Sequence, residues 1–306
     1  MLILLLLAVL IGIAYWRTYP RLGDWLYHYG NKLEANLVGL TQSSVNAGGI
    51  THQVWTNQQP NKPMLLLVHG YSASHAVWIR FARYFSQDYY VVIPDLAGHG
   101  ETGYQTEWDY SIDAQSKRVS DIISALGHTN AHIVGNSMGG YIAAHMGRFY
   151  PDVFLSLTLI DPAGVSSPTP SKMLTLLQQG ENPFLIESDA QFKRFYSMVM
   201  ARPPFAPRVV KDALSQVYQQ RRDELAKIFS DYNRQDNYLE AELKDVKPPT
   251  LLIWGALDEL IHVSSVEVWQ QGLNCTAIVW HDLGHMPMME APERTAFAVK
   301  HHIEAL

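Results

Sequence analysis

The sequence predicts an α/β fold: a mostly parallel central sheet covered by helices on both faces, with an α-helical block inserted into it. Two observations carry this. Short continuous apolar runs ended by glycine or proline alternate with amphipathic stretches of helical period, and strands buried on both faces read in that way. The alternation then stops near Gly164 and resumes after Pro248-Pro249. Strand and helix in turn with short connections build a parallel sheet.

In chain order, the first element stands apart. Met1 to Trp16 is unbroken apolar sequence. As a helix it would reach about 24 Å, short of a hydrocarbon core of about 30 Å. A cleaved signal peptide would carry Lys or Arg before the run and small residues at a cleavage site. No basic side chain precedes this run, and Ile13-Ala14-Tyr15 is a poor cleavage site. A lipoprotein signal would need a following cysteine, and the one cysteine is Cys275. The expectation is an uncleaved membrane anchor over residues 1–17, with a cleaved signal peptide or a plain buried helix as the alternatives. Tyr15, Trp16, Tyr19 and Trp25 would form its aromatic belt. Arg17 and Arg21 follow the run, so the positive-inside rule places the main domain on the cytoplasmic side of the cell (inner) membrane, with export as the alternative. Over residues 18–40, Leu22, Trp25, Leu26, Tyr29, Leu33, Leu37 and Leu40 share one helix face. That face would lie on the lipid interface or pack on the protein's own core.

Residues 41–163 read as the first part of the core. "ITHQVWT" alternates like an edge strand, and Pro63 to Gly70 is a buried strand. "AVWIRFARYFSQ" reads as a helix, "YYVVIPD" as a strand, and "YSIDAQSKRVSDIISALG" as a helix stopped at Gly127. "AHIVGN" is a strand running into the helix "MGGYIAAHMGRFYP", and "LSLTLID" is the next strand. Residues 164–247 hold no convincing strand, only helical segments separated by Pro203, Pro204 and Pro207. Residues 248–306 complete the core with "TLLIWG", a helix near "SSVEVWQQG", "TAIVWH" and a last helix from "APERTAFAVKHHIE".

Bulk properties narrow the function classes. At 47% hydrophobic and 17% charged residues, the 306-residue chain can bury a sizeable core. A formal net charge of -6 offers nucleic acid no attraction. One cysteine permits neither an intrachain disulfide nor a zinc site built on several thiolates.

The chemistry concentrates at the strand-to-helix corner. Gly135-Asn136-Ser137-Met138-Gly139 is G-x-S-x-G between a strand and a helix, the context in which that motif presents a nucleophile. A serine hydroxyl needs a base. His285, in "DLGHMPMMEAP" after the last strand, is placed to supply one. Asp258, after the strand "LLIWG", would orient the imidazole, with Asp161 as a rival acid. Asp95 reads as a loop organiser, His69 as a structural histidine and His99 as a turn residue. His281 and His285 form H-x-x-x-H, but Gly284 and the strand end between them argue against metal binding. An oxyanion needs two preorganised donors. The backbone N–H groups of Met138 and Tyr71 are assigned to it. The apolar residues Met173, Phe184, Phe192, Phe195, Met198, Met200 and Phe205 would suit an acyl chain, or form the helical block's own core.

In order along the chain, "LLLVHGYSAS", "VVIPDLAGHGET", "IVGNSMGGYIAA", "LIDPAG", "LLIWGALDELI" and "GHMPMMEAPE" resemble the α/β-hydrolase superfamily. The resemblance runs from about residue 60 to the C-terminus. Within the superfamily the chain looks most like the membrane-anchored monoacylglycerol lipases and related bacterial lipases. That resemblance implies an α/β-hydrolase fold with residues 164–247 as its cap. It implies a Ser137–Asp258–His285 triad, hydrolysis of lipid esters, and no metal or organic cofactor. "GNSMGG" also resembles the elbow of carbon–carbon bond hydrolases of ring-fission diketones. Those usually place tryptophan after the catalytic histidine, where this chain has Met286. A non-catalytic binding protein on the same fold is the remaining alternative.

Overall fold

The computed structural model describes the backbone of residues 2–234 and 238–306; within the first 20 residues it describes the side chains of residues 6, 7, 11, 12, 18 and 19. Eight strands form one sheet: β1 (Thr41–Ala47), β2 (Ile50–Thr56), β3 (Met64–Val68), β4 (Tyr90–Pro94), β5 (Ala131–Asn136), β6 (Phe154–Ile160), β7 (Thr250–Gly255) and β8 (Cys275–Trp280). Their order is β1-β2-β4-β3-β5-β6-β7-β8. β1–β2 and β2–β4 pair antiparallel. Every other pairing is parallel.

Around the sheet lie α1 (Leu2–Leu37), α2 (Ile79–Ala82), α3 (Ile112–Ala125), α4 (Met138–Phe149), α9 (Ser265–Gly272), α10 (Pro287–Glu290) and α11 (Pro292–Glu304). Between β6 and β7 come the inserted α5 (Lys172–Gln178), α6 (Asp189–Val199), α7 (Arg208–Gln220) and α8 (Arg222–Tyr232). The predicted mostly parallel sheet with an inserted helical cap is what the chain forms. Strand alternation sorts the core onto two faces: Met64, Leu66 and Val68 of β3 join one cluster, Leu65 and Leu67 the other.

β2 is not the edge strand. The edge is β1, whose polar "TQSSVNA" hides a strand from hydrophobic patterning. Its signal is the Gly48-Gly49 turn, with both residues at positive φ (57° and 75°). Ala47 and Ile50 pair directly across that two-residue loop, as in hairpins closed by primed turns. In the cap, the uninterrupted helical stretch after Pro207 breaks at Arg221 into α7 and α8.

The N-terminal expectation is corrected. Among the described residues no helix is long and apolar enough to cross a membrane. The transmembrane anchor at 1–17 falls, and with it the membrane partner and the membrane-anchored, cytoplasm-facing location. The apolar run occupies only the first part of a continuous 36-residue helix. Its remainder carries Arg17, Arg21, Asp24, Lys32 and Glu34. That second half is tied to the rest of the protein by polar contacts. The Tyr19 hydroxyl donates to Asp212 Oδ2 at 3.0 Å, and Arg80 Nε pairs with Glu34 at 2.6 Å. Of the proposed aromatic belt, the side chains of Tyr15 and Trp16 lie outside those described. Trp25 and Tyr29 pack on each other with tilted rings, 4.9 Å between centroids, and are exposed. Leu22, Leu26, Leu33 and Leu37 are exposed too, while Ala35 and Leu40 are buried.

α1 crosses α7 at Gly23. A Cβ there would stand 2.0 Å from the Val209 carbonyl oxygen, a backbone atom that cannot yield. At Gly30, on the same helix, a Cβ would meet open space. Helix propensity favours alanine over glycine by about 1 kcal/mol at both positions. Gly30→Ala should therefore raise the urea midpoint. Gly23→Ala should lower it, because overpacking costs about 1–3 kcal/mol of stability. Opposite signs for the two variants would verify the docking of α1 on α7.

Candidate active site

The strand-to-helix corner forms because two backbone segments touch where a side chain would not fit. A Cβ on Gly139 would lie 2.3 Å from the Val68 carbonyl oxygen at the end of β3. Between β5 and α4, Ser137 takes φ 57°, ψ -120°, a region a non-glycine residue occupies only under constraint. The constraint is visible: its N–H donates to the Ile160 carbonyl at 3.0 Å, and its carbonyl accepts from Ala163 N–H at 3.1 Å. Met138 opens α4, so its N–H belongs to the first turn, where helix donors have no intrahelical acceptor.

The loop after β3 lies directly against the serine. A Cβ on Gly70 would stand 2.9 Å from Ser137 Cβ. Tyr71 follows, buried, with its hydroxyl donating to the Leu225 carbonyl at 2.6 Å. The Ser72 and Tyr218 hydroxyls share a hydrogen bond at 2.9 Å. Cap helices α7 and α8 thus hold the loop that carries Tyr71. Beneath it, Leu96 N–H donates to His69 Nε2 at 3.1 Å, so the ring's proton sits on Nδ1, 2.8 Å from the Gly70 carbonyl it can donate to. Burial depresses the His69 pKa and keeps the ring neutral. His69 is structural, as read from the sequence. Asp95 organises its loop: its carboxylate accepts from the His75 and Glu101 backbone N–H groups at 2.7 and 2.9 Å. His99 is buried, with Nδ1 3.0 Å from the Ala97 carbonyl.

His285 and Asp258 meet. His285 Nδ1 lies 2.6 Å from Asp258 Oδ2, and both side chains are almost wholly shielded from solvent. Asp258 Oδ1 accepts from the N–H groups of Leu260 and Ile261 at 2.7 and 3.0 Å. The acid is thereby fixed before it touches the ring. Ser137 and His285 line the same cavity, of about 870 Å³. Cap residues Phe184, Phe192, Phe195 and Met200 line it although all four are also buried in the core clusters, and Tyr27 of α1 adds a wall. Met198 is buried in the core cluster, Met173 packs on that cluster's edge, and Phe205 is 91% exposed.

Two positioning groups were not assigned from sequence. Asn136 Nδ2 donates to the carbonyls of Ile160 and His285, both at 3.0 Å. Glu290 Oε1 accepts Gly284 N–H at 3.0 Å, and its Oε2 accepts Arg202 N–H at 2.7 Å. His285 N–H donates to the Val199 carbonyl at 3.1 Å. The loop of His285 is therefore tied to the elbow on one side and to the end of α6 on the other. Asn136 stood beside the serine in the motif. Nothing in the sequence marked Glu290, because its partners are backbone amides.

Asp161, Asp258 and His285 offer donor atoms within 4.8 Å of one another, the one such cluster among the described residues. It fits a hydrogen-bonded assembly better than a cation. Two ligands about 2.0–2.1 Å from a tetrahedral ion stand about 3.3 Å apart, whereas Nδ1 and Oδ2 are at 2.6 Å. His281 is exposed and outside the cluster.

Comparison with known proteins agrees with this geometry. A family model described as the alpha/beta hydrolase fold matches residues 63–292. Lipase 1 of Psychrobacter immobilis is 35% identical over 236 residues, covering 76% of this chain and 74% of the lipase. The human monoacylglycerol lipase ABHD6 is 27% identical over 251 residues, covering 77% and 74%. A crystal structure of a membrane phospholipase A, described as a novel bacterial virulence factor, superposes with a TM-score of 0.89 at 33% identity, covering 99% of this chain and 96% of that one. The chain belongs to the α/β-hydrolase family. Within that family it is a serine hydrolase.

The contact of Gly70 with Ser137 gives a test. In Gly70→Ala the new methyl must push the loop off the serine. Because a displaced oxyanion donor costs about 10²–10³ in kcat, turnover of a short ester should fall by about that much while the circular dichroism spectrum stays native.

Proposed function

We propose that this protein is a serine ester hydrolase acting on lipid-like acyl esters, with monoacylglycerols as its substrate class. The observation that carries the reading is the buried 2.6 Å contact of His285 with Asp258, in a cavity that also contains Ser137 and the aromatic cap residues. In this reading residues 164–247 act as the cap between core parts 41–163 and 248–306. The likeness to the human monoacylglycerol lipase and the bacterial lipase supports the substrate class.

His285 removes the Ser137 proton as Oγ attacks the ester carbonyl. Asp258 holds the ring with Nδ1–H toward itself, leaving Nε2 for that proton, and stabilises the imidazolium. The N–H groups of Tyr71 and Met138 donate hydrogen bonds to the developing oxyanion. His285 then returns its proton to the leaving alcohol, and an acyl-Ser137 ester remains. Water, deprotonated by His285, attacks that ester, and the collapse releases the acid and restores Ser137. No cofactor takes part in these steps.

The test is a kcat/KM series on monoacylglycerols of increasing chain length, with a ring-fission diketone in the panel. Ser137→Ala should lower kcat by about 10⁴–10⁶, and glycerol esters should show a chain-length optimum in the unmodified protein. Turnover of the diketone alone would reassign the protein to carbon–carbon bond hydrolysis. Unchanged ester turnover in Ser137→Ala would remove the serine from the mechanism.

A further inference from the structure

Behind the Asp258–His285 pair stands a second carboxyl group. Asp161, just past β6, is fully buried and held at φ 44°. Its Oδ1 accepts the Gly255 N–H at 2.9 Å. Its Oδ2, also buried, meets no donor among the described residues. Donor atoms of Asp161, Asp258 and His285 lie within 4.8 Å of one another. The charged groups that act on Asp161 are Asp258 and Glu290, both acidic. The one base in the cluster, His285, has its Nδ1 committed to Asp258.

Ionising Asp161 would therefore place a second negative charge beside Asp258 in a dry site. It would have no cation of its own and would leave one oxygen unpaired, a costly state. Protonation removes each difficulty at once. The hydroxyl of a neutral acid has a partner in the Asp258 carboxylate, with which Asp161 shares a side-chain hydrogen bond.

We propose that Asp161 is held as a neutral carboxylic acid that donates its O–H to the Asp258 carboxylate, and so acts as a positioning residue for that acid. The proposal rests on the reading of Asp258 and His285 as triad members. Burial, and after it the negative charge of Asp258, holds the Asp161 carboxyl well above the usual carboxylate range. A donor on Asp258 disperses its charge and lowers its basicity, which keeps the shared proton on the imidazole. It also gives the acid a third fixed contact besides Leu260 and Ile261.

Asp161→Asn is the informative variant. Its amide oxygen can accept the Gly255 N–H, its NH₂ can donate to Asp258, and asparagine tolerates positive φ. If Asp161 is a neutral donor, the asparagine reproduces it. kcat/KM and the acid limb of its pH profile should be unchanged, and a protonated-carboxyl C=O band seen by infrared difference at pH 8 should vanish. Asp161→Ala removes the donor and should lower kcat by about tenfold, the worth of one hydrogen bond to a charged group, with KM little affected. Were Asp161 ionised, Asp161→Asn would remove a negative charge near the imidazolium. The acid limb would then move to lower pH, and no carboxyl band would be lost. Either result overturns the proposal, as does full activity in Asp161→Ala. The infrared band is read without turnover, so failure of the ester-hydrolase reading and failure of this inference are separable.

Discussion

The structure depends on one close approach of backbone to backbone. Where α4 begins, Gly139 lies so near the end of β3 that not even a methyl group fits. That contact turns the chain sharply enough to hold Ser137 in a conformation it would not choose alone. It also brings the loop after β3 against the serine through Gly70. Strand order then supplies the rest. β3 and β5 are neighbours, β6 and β7 follow, and all four run in one direction. The strand ends that carry His69, Ser137, Asp161 and Asp258 are collected along one edge of the sheet.

Around that edge the polar groups are arranged in tiers. Asp258 touches the ring of His285, while Leu260 and Ile261 hold Asp258. Glu290 and Asn136 hold the backbone around His285. The carboxyl of Glu290 is pushed up by burial even though several backbone N–H groups favour its charge. Each tier fixes the one in front of it, so the reacting groups need little reorganisation. The cap supplies the other wall, through the Tyr71 contact with Leu225 and the Ser72 contact with Tyr218.

Legibility in the sequence followed the kind of interaction involved. Parallel strands announced themselves because burial on both faces forces apolar runs. The corner announced itself because steric contact forces glycine at Gly135 and Gly139. Asp258 and His285 were readable from the motif order, and the structure brings them together. β1 was missed because a polar edge strand has no such pattern. Glu290 was missed because any carboxylate at the right distance from three amides would do. The first helix misleads because its apolar content reads as a membrane span. Its docking on α7 is encoded in the single small residue Gly23, whose meaning appears only with Val209 beside it.

The tie between His285 and the end of α6 limits how a substrate can reach the serine. His285 N–H is held by Val199, and Glu290 bridges Gly284 to Arg202. A cap that hinged open at this stem would pull the loop of His285 away with it. On another side the cavity reaches the surface residues Asp24, His28 and Lys32 of α1 and Glu101 of the facing loop. Entry from that side would leave the stem seated, so a ligand could reach Ser137 without disturbing the hydrogen bonds that hold His285.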